Sequence, residues 1–350
     1  MKVVDIMNKI KRNSSIELLR IISMIMIIMS HYCYHGVING DSLSLSFNKI
    51  ILQLGFLGNL GVNIFFLISS YFMYDKEIDI RRIIKLLFQI FSYSIIIYLI
   101  FVLIGQEPFN IVNFIKSFFP VLFKNYWFAS VYVIIYILSP YINILIRNLD
   151  EKQHRNIIII FIFIWSILFT FLKIDLYSNY FTDILILYFI ATYIKKYNSK
   201  ISNNIVKLLT FLSTLGLISL TIILNFIPPL ESYIPHIYSR NSLFIIMIST
   251  GMFISFLNKN WYSNIINIIS SCVFGVYLLH DNYLIRKVLW NFVDNSKYIT
   301  SPYLIIHMLI VTIIIFILCI IIEFIRKNTI QKIVDKYVDK YITKLNYKSK

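Results

Sequence analysis

Long apolar runs, separated by short polar or proline-bearing segments, fill the chain from about residue 16 to residue 325. They cover about 16–35, 50–74, 82–104, 121–147, 156–172, 179–194, 205–227, 240–257, 263–285 and 303–325. Each is near the roughly 20 residues a helix needs to cross a bilayer. The pattern predicts an all-α, polytopic integral membrane protein with about ten transmembrane helices. Ser14-Ser15-Ile16-Glu17 has capping-box spacing and should open the first span. Pro108, Pro120, Pro228, Pro229, Pro235 and Pro302 fall in predicted connections, and Pro140 alone lies inside a span, as expected of a helix breaker. No small-residue cleavage site precedes His31, so the first run is expected to be retained rather than removed as a signal peptide. Beyond Arg326, Ile330, Ile333, Val334, Tyr337, Val338, Tyr341, Ile342 and Leu345 recur at helical spacing opposite lysines. They predict a basic amphipathic helix that lies on the inner leaflet, extends into solvent or binds a partner. The expected organisation is a cytoplasmic segment 1–13, a ten-helix domain 14–325 and a cytoplasmic tail 326–350.

Composition narrows this further. Only 14% of the 350 residues are charged and 58% are apolar or tyrosine, against about 25% charge in soluble proteins, which leaves no room for a sizeable soluble domain. The 33 Lys and Arg against 17 Asp and Glu give a net charge of +16. In a membrane chain that excess is sorted by side rather than directed at nucleic acid. With the N-terminus inside, 24 Lys and Arg fall in cytoplasmic segments and 8 outside, Arg20 standing apart in the first span. Both termini are therefore expected in the cytoplasm, beside anionic membrane lipids. Cys33, Cys272 and Cys319 lie in apolar runs without paired spacing and read as buried thiols, not as a disulfide or metal site. Alanine occurs only at 129 and 191 while Ile, Asn, Lys and Tyr abound, a bias that suggests an AT-rich bacterial genome and hence a bacterial cell membrane.

Arg20 and His31 are the anomaly, because ionisable residues within a span are costly and mark function by default. Eleven positions along a helix return to within about 20° of the starting direction over about 16 Å, so the two share a face. Glu17 and His35 lie near the same line, although Glu17 could serve only as a capping carboxylate and His35 could sit in outer water. His31 is not terminal but lies in the outer half of its span, where a neutral imidazole can take a proton from a hydroxyl, as general-base acyl transfer requires.

Ser15-Ile16-Glu17-Leu18-Leu19-Arg20-Ile21-Ile22 followed by His31 resembles the Arg-x10-His motif of the acyltransferase family 3 membrane proteins. Gly61-Val62-Asn63-Ile64-Phe65-Phe66-Leu67-Ile68-Ser69-Ser70-Tyr71 is similar to that family's Gly-Val-x-x-Phe-Phe-x-x-Ser-Gly-Tyr/Phe, with Ser70 in place of glycine. Arg82-Ile83-Ile84-Lys85 stands where many members have Arg-x-x-Arg, and Trp127-Phe128, Ser139-Pro140 and Val276-Tyr277-Leu278-Leu279-His280 match as well. The resemblance covers about residues 14–325. It implies acylation of bacterial surface glycans or their lipid-linked precursors, with His31 as the catalytic residue. On this basis His31 and Arg20 are expected to carry catalysis. Arg81, Arg82 and Lys85 are expected to bind the phosphates of acetyl-CoA, the acyl donor, with no permanently bound cofactor or metal. Ser69, Tyr71, Trp127 and His280 are the candidate substrate contacts. Three of them have plainer alternatives: Ser69 can bond its own helix, Trp127 can anchor an interface and His280 can cap a span. Gly55, Gly58 and Gly61 allow close approach of a neighbouring helix or a narrow ligand.

A glycan transporter or flippase has similar hydropathy, but the sequence shows neither an internal repeat nor a sign of a broken helix. A glycan polymerase is expected to carry a large outer loop, which is missing.

Overall fold

The computed structural model describes residues 12–35 and 46–348. Most of segment 1–13, with its lysines at 2, 9 and 11, lies outside the described residues. So do the 36–45 connection and the last two residues of the tail.

The described chain is helical throughout, with no strand. Its helices are α1 (Ser14–His35), α2 (Phe47–Met73), α3 (Ile80–Leu103), α4 (Ile111–Phe118), α5 (Trp127–Asn148), α6 (Glu151–Leu172), α7 (Tyr180–Tyr197), α8 (Asn203–Phe226), α9 (Leu243–Leu257), α10 (Asn264–His280), α11 (Tyr283–Val293), α12 (Leu304–Asn328) and α13 (Ile330–Lys348). Seven of them, α1, α2, α3, α5, α6, α8 and α12, are long and apolar enough to cross a membrane. The α10–α11 pair raises that to eight if it counts as one span. With Leu, Ile and Phe exposed along α3, α6, α8 and α12, the bundle is a multi-pass membrane protein whose outer helices meet lipid.

Helix α1 is the central strut, packing against α2, α9, α10, α11 and α12. It and α2 bury 61% of their apolar stretches, against 11% for α6 and 17% for α8. A side chain that lipid cannot solvate can therefore sit on α1 and still be enclosed. The three glycines of α2 make this close fit. A Cβ on Gly61 would come 2.4 Å from the Ser23 carbonyl oxygen, and Gly55 and Gly58 lie as tightly against Cys33 and Ser30. Helix packing is the use these glycines serve.

The structure departs from sequence expectation at four places. The 263–285 span is broken: α10 ends at His280, Asp281 and Asn282 turn the chain, and α11 leaves at 84°. The Asn282 side chain caps α11 by accepting from Leu284 N–H and donates to the buried Tyr126 hydroxyl at 2.7 Å, so the turn is capped and tethered. Asn13 rather than Ser14 caps α1, accepting from the Ser15 N–H, while the Ser14 hydroxyl bonds Asn267. Glu17 is therefore no capping carboxylate; it pairs with Arg20 at 3.1 Å and accepts from the Ser270 hydroxyl. The connection before α5 holds the short helix α4. Finally, α13 packs on α3, where Asp335 and Asp339 hold Lys85 at 3.2 and 3.4 Å. All three cysteines are buried and free.

Candidate active site

Three adjoining cavities run along α1 from the level of Arg20 to that of His31. The widest, about 960 Å³, opens at the arginine end and is lined by Arg12, Arg20, Lys76 and Arg82, with the carboxylates of Glu17 and Glu77. Four cations against two carboxylates leave a positive basin. Its field is visible in the Lys76 ammonium, in the loop between α2 and α3. Burial first, and then the guanidiniums of Arg82, Arg20 and Arg12, hold its pKa below the usual lysine range. An anion placed there would relieve like-charge repulsion and gain charge-assisted hydrogen bonds.

Arg12, Arg20, Ser69 and Tyr132 also line a second cavity of about 370 Å³, which reaches Phe65, Phe128 and Phe274. The same three phenylalanines, one each from α2, α5 and α10, form part of the wall of a third chamber of about 50 Å³ that contains His31. The route thus narrows from a charged basin, through an aromatic collar, to a small apolar chamber. Met24, Ile27, Val62, Trp127, Tyr277 and Asp281 complete its lining.

Within the chamber, Nδ1 of His31 lies 3.8 Å from a carboxylate oxygen of Asp281. Asp281 is buried, and the same oxygen lies 3.3 Å from the Arg286 guanidinium. The His280 ring centre is 5.1 Å from that of His31. Its Nδ1 donates to the Val276 carbonyl at 2.6 Å, which leaves Nε2 with its lone pair. That Nε2, like Nδ1 of His31, is buried without a hydrogen-bond partner. Such groups are costly unless they are kept for chemistry.

A family model described as an acyltransferase domain, acyltransferase 3, matches residues 13–324. The chain belongs to this family. No curated protein and no solved structure matches the chain. The family match supports a membrane acyltransferase.

The acyltransferase brings some of the sequence-predicted residues together and leaves others apart. Arg20, Arg82 and Ser69 line the basin, Ser69 facing the middle cavity too, and Trp127 joins His31 in the chamber. Arg81 is exposed and lines none of the three cavities, and Lys85 is engaged by Asp335 and Asp339 of α13. Tyr71 packs on Phe253 with the Lys195 ammonium 4.5 Å over its ring. Ser70, where the family motif has glycine, is buried with an unpartnered hydroxyl.

Asp281 escaped sequence reasoning, although a carboxylate directly after His280 in an apolar run is the kind of intramembrane charge that asks for a role. The collar phenylalanines escaped as well, since an apolar residue that lines a passage looks like one that fills a core. A cluster next to the chamber was also missed. Trp127 stacks on Tyr180 at 4.6 Å, and the Arg240 guanidinium lies 4.9 and 4.6 Å from their ring centres and 3.6 Å from Asp183.

Proposed function

We propose that the protein is an O-acyltransferase that moves an acetyl group from cytoplasmic acetyl-CoA to a hydroxyl of a surface polysaccharide or its lipid-linked precursor. The observation that carries this reading is the continuity of basin, collar and chamber along α1, with cations at one end and His31 at the other. The arginine end is taken as cytoplasmic, where the sequence concentrates its lysines and arginines. Arg20, Arg82, Arg12 and Lys76 receive the phosphates. The pantetheine arm then spans the roughly 16 Å from Arg20 to His31 and passes the collar, and the thioester arrives in a chamber that admits a short acyl group.

Nδ1 of His31 faces the Asp281 carboxylate at 3.8 Å; a small ring rotation on substrate binding would close this to a hydrogen bond, fix the proton on Nδ1 and leave Nε2 as the base. The acceptor hydroxyl oxygen attacks the thioester carbonyl as its proton passes to Nε2. The carbon–sulfur bond breaks, and the imidazolium returns the proton to the departing thiolate. The Asp281 carboxylate stabilises the imidazolium between these events. The Trp127–Tyr180 stack with Arg240 and Asp183 suits an approaching sugar, since aromatic faces and charged hydrogen-bonding groups together match a pyranose.

The test is acetyl transfer by the full-length chain in nanodiscs. His31→Gln should lose about 10²- to 10⁴-fold in turnover with acetyl-CoA binding retained. Turnover unchanged in that variant would end the reading.

A further inference from the structure

His31 and His35 stand one turn apart on α1, with ring centres 5.1 Å apart. Two histidines at this spacing present nitrogens to one side of a helix, the arrangement that helical metal sites use. Here a carboxylate closes the third side. One ligand atom from each of His31, His35 and Asp281 lies within 4.8 Å of the others, and His31 Nδ1 is 3.8 Å from Asp281.

We infer that His31, His35 and Asp281 form a binding site for a divalent transition-metal ion, and that the ion, arriving past His35, switches the enzyme off. The donor set selects the metal. Two imidazoles and one carboxylate suit zinc, with bonds of about 2.0–2.2 Å, and do not suit magnesium or calcium, which want oxygen ligands and, for calcium, more of them. Tetrahedral geometry with such bonds needs donors about 3.3 Å apart, so the trio must close by roughly 0.5 to 1.5 Å. His35 is the exposed member and has the freedom to turn. Asp281 is shared with Arg286 at 3.3 Å, a competing cation that weakens the site and favours reversible over permanent occupancy. His280 already has the second bond typical of a ligating histidine, Nδ1 to a backbone carbonyl, and its unpartnered Nε2 stands beside the trio as a further donor.

Inhibition follows from the chemistry of one ring and rests on the function proposed above. A histidine that binds metal through Nδ1 carries its remaining proton on Nε2. The lone pair that would accept the hydroxyl proton is then absent.

The test separates the two ideas. Zn²⁺ is titrated into the full-length protein in nanodiscs, without substrates, in competition with a chromophoric chelator, and acetyl transfer is measured in parallel. The wild type should bind one Zn²⁺ per chain more tightly than Mg²⁺. His35→Ala should weaken binding at least about tenfold and raise the inhibitory zinc concentration by the same factor, with zinc-free turnover close to wild type. Asp281→Asn should weaken binding as well, and chelation should restore wild-type activity. Equal zinc affinity in wild type and His35→Ala would overturn the site. Zinc bound at these residues with transfer unimpaired would overturn the switch. An absence of acetyl transfer from the zinc-free wild type would count against the proposed function alone, because the binding arm needs no turnover.

Discussion

The two ends of the groove are opposites in size and in chemistry. The basin is about 960 Å³ with four cationic side chains on its wall, and the chamber is about 50 Å³ and mostly apolar. A wide, wet, positive space pays little to hold a polyanion, whereas a tight dry one strengthens every interaction made inside it. On the function proposed here, the difference separates the work of gripping the donor from the work of moving a proton. It gives each residue a kinetic signature: basin variants should alter the apparent affinity for donor, and chamber variants should alter turnover.

The largest effect that could break this division lies at Asp281. Asp281→Asn removes the charge facing His31 and should lower kcat by about 10²-fold with the donor KM unchanged, a smaller loss than that of the base itself. Steady-state kinetics at matched protein levels decide it, and a rise in donor KM without loss of kcat would place Asp281 in the wrong compartment. The collar offers a sharper test. Phe274→Ala should open room for about two methylenes, and at ~0.8 kcal/mol each the preference for acetyl-CoA over butyryl-CoA should shift by roughly tenfold. An unaltered acyl preference in competition assays would mean the thioester does not pass the collar. In the basin, Arg82→Ala should raise the donor KM several-fold at constant kcat, since the Arg82 side chain is 58% exposed and water already screens its charge. Arg82→Lys should recover only part of the loss, because the planar fork is absent.

The smallest effect is a pH dependence. Lys76 is held below its ordinary pKa in the empty basin, and a bound phosphate would raise it. Donor binding therefore takes up protons in the alkaline range. Affinity is complete below the free-state pKa and declines as pH rises through the bound-state pKa. Lys76→Met should flatten that dependence, and an unchanged slope would remove Lys76 from donor binding.

Much of this was legible in the chain. An apolar run long enough to cross a bilayer announces itself, and Arg20 and His31 stand out as ionisable residues within such a run. The break at Asp281–Asn282 was hidden since two polar residues between apolar helices of 17 and 11 residues scarcely lower the average of a window that covers both. The sequence argument that discounted a broken helix was mistaken for this reason. The pairing of Lys85 with Asp335 and Asp339 was illegible for another, since ion pairs joining residues 250 and 254 positions apart leave no periodicity. Glu17 was misread because capping-box spacing is also salt-bridge spacing on a helix, and only the position of Asn13 tells the two apart.

The place of α1 sets a timetable for biogenesis. It is the first of the described helices to be made, yet its partners include Trp261, Ser263, Asn267, Asn295 and His307, which contact Ser14 or Tyr32. At about 5–20 residues per second, the ribosome reaches those partners some 12–59 s after Ser14. Through that interval Glu17, Arg20 and His31 lack the walls that later enclose them, and a nascent chain halted after α9 carries a polar stripe with no α10 to cover it. The groove is completed only once α10 has been made, so a protein truncated before α10 should be handed to membrane proteolysis rather than persist as an inactive bundle.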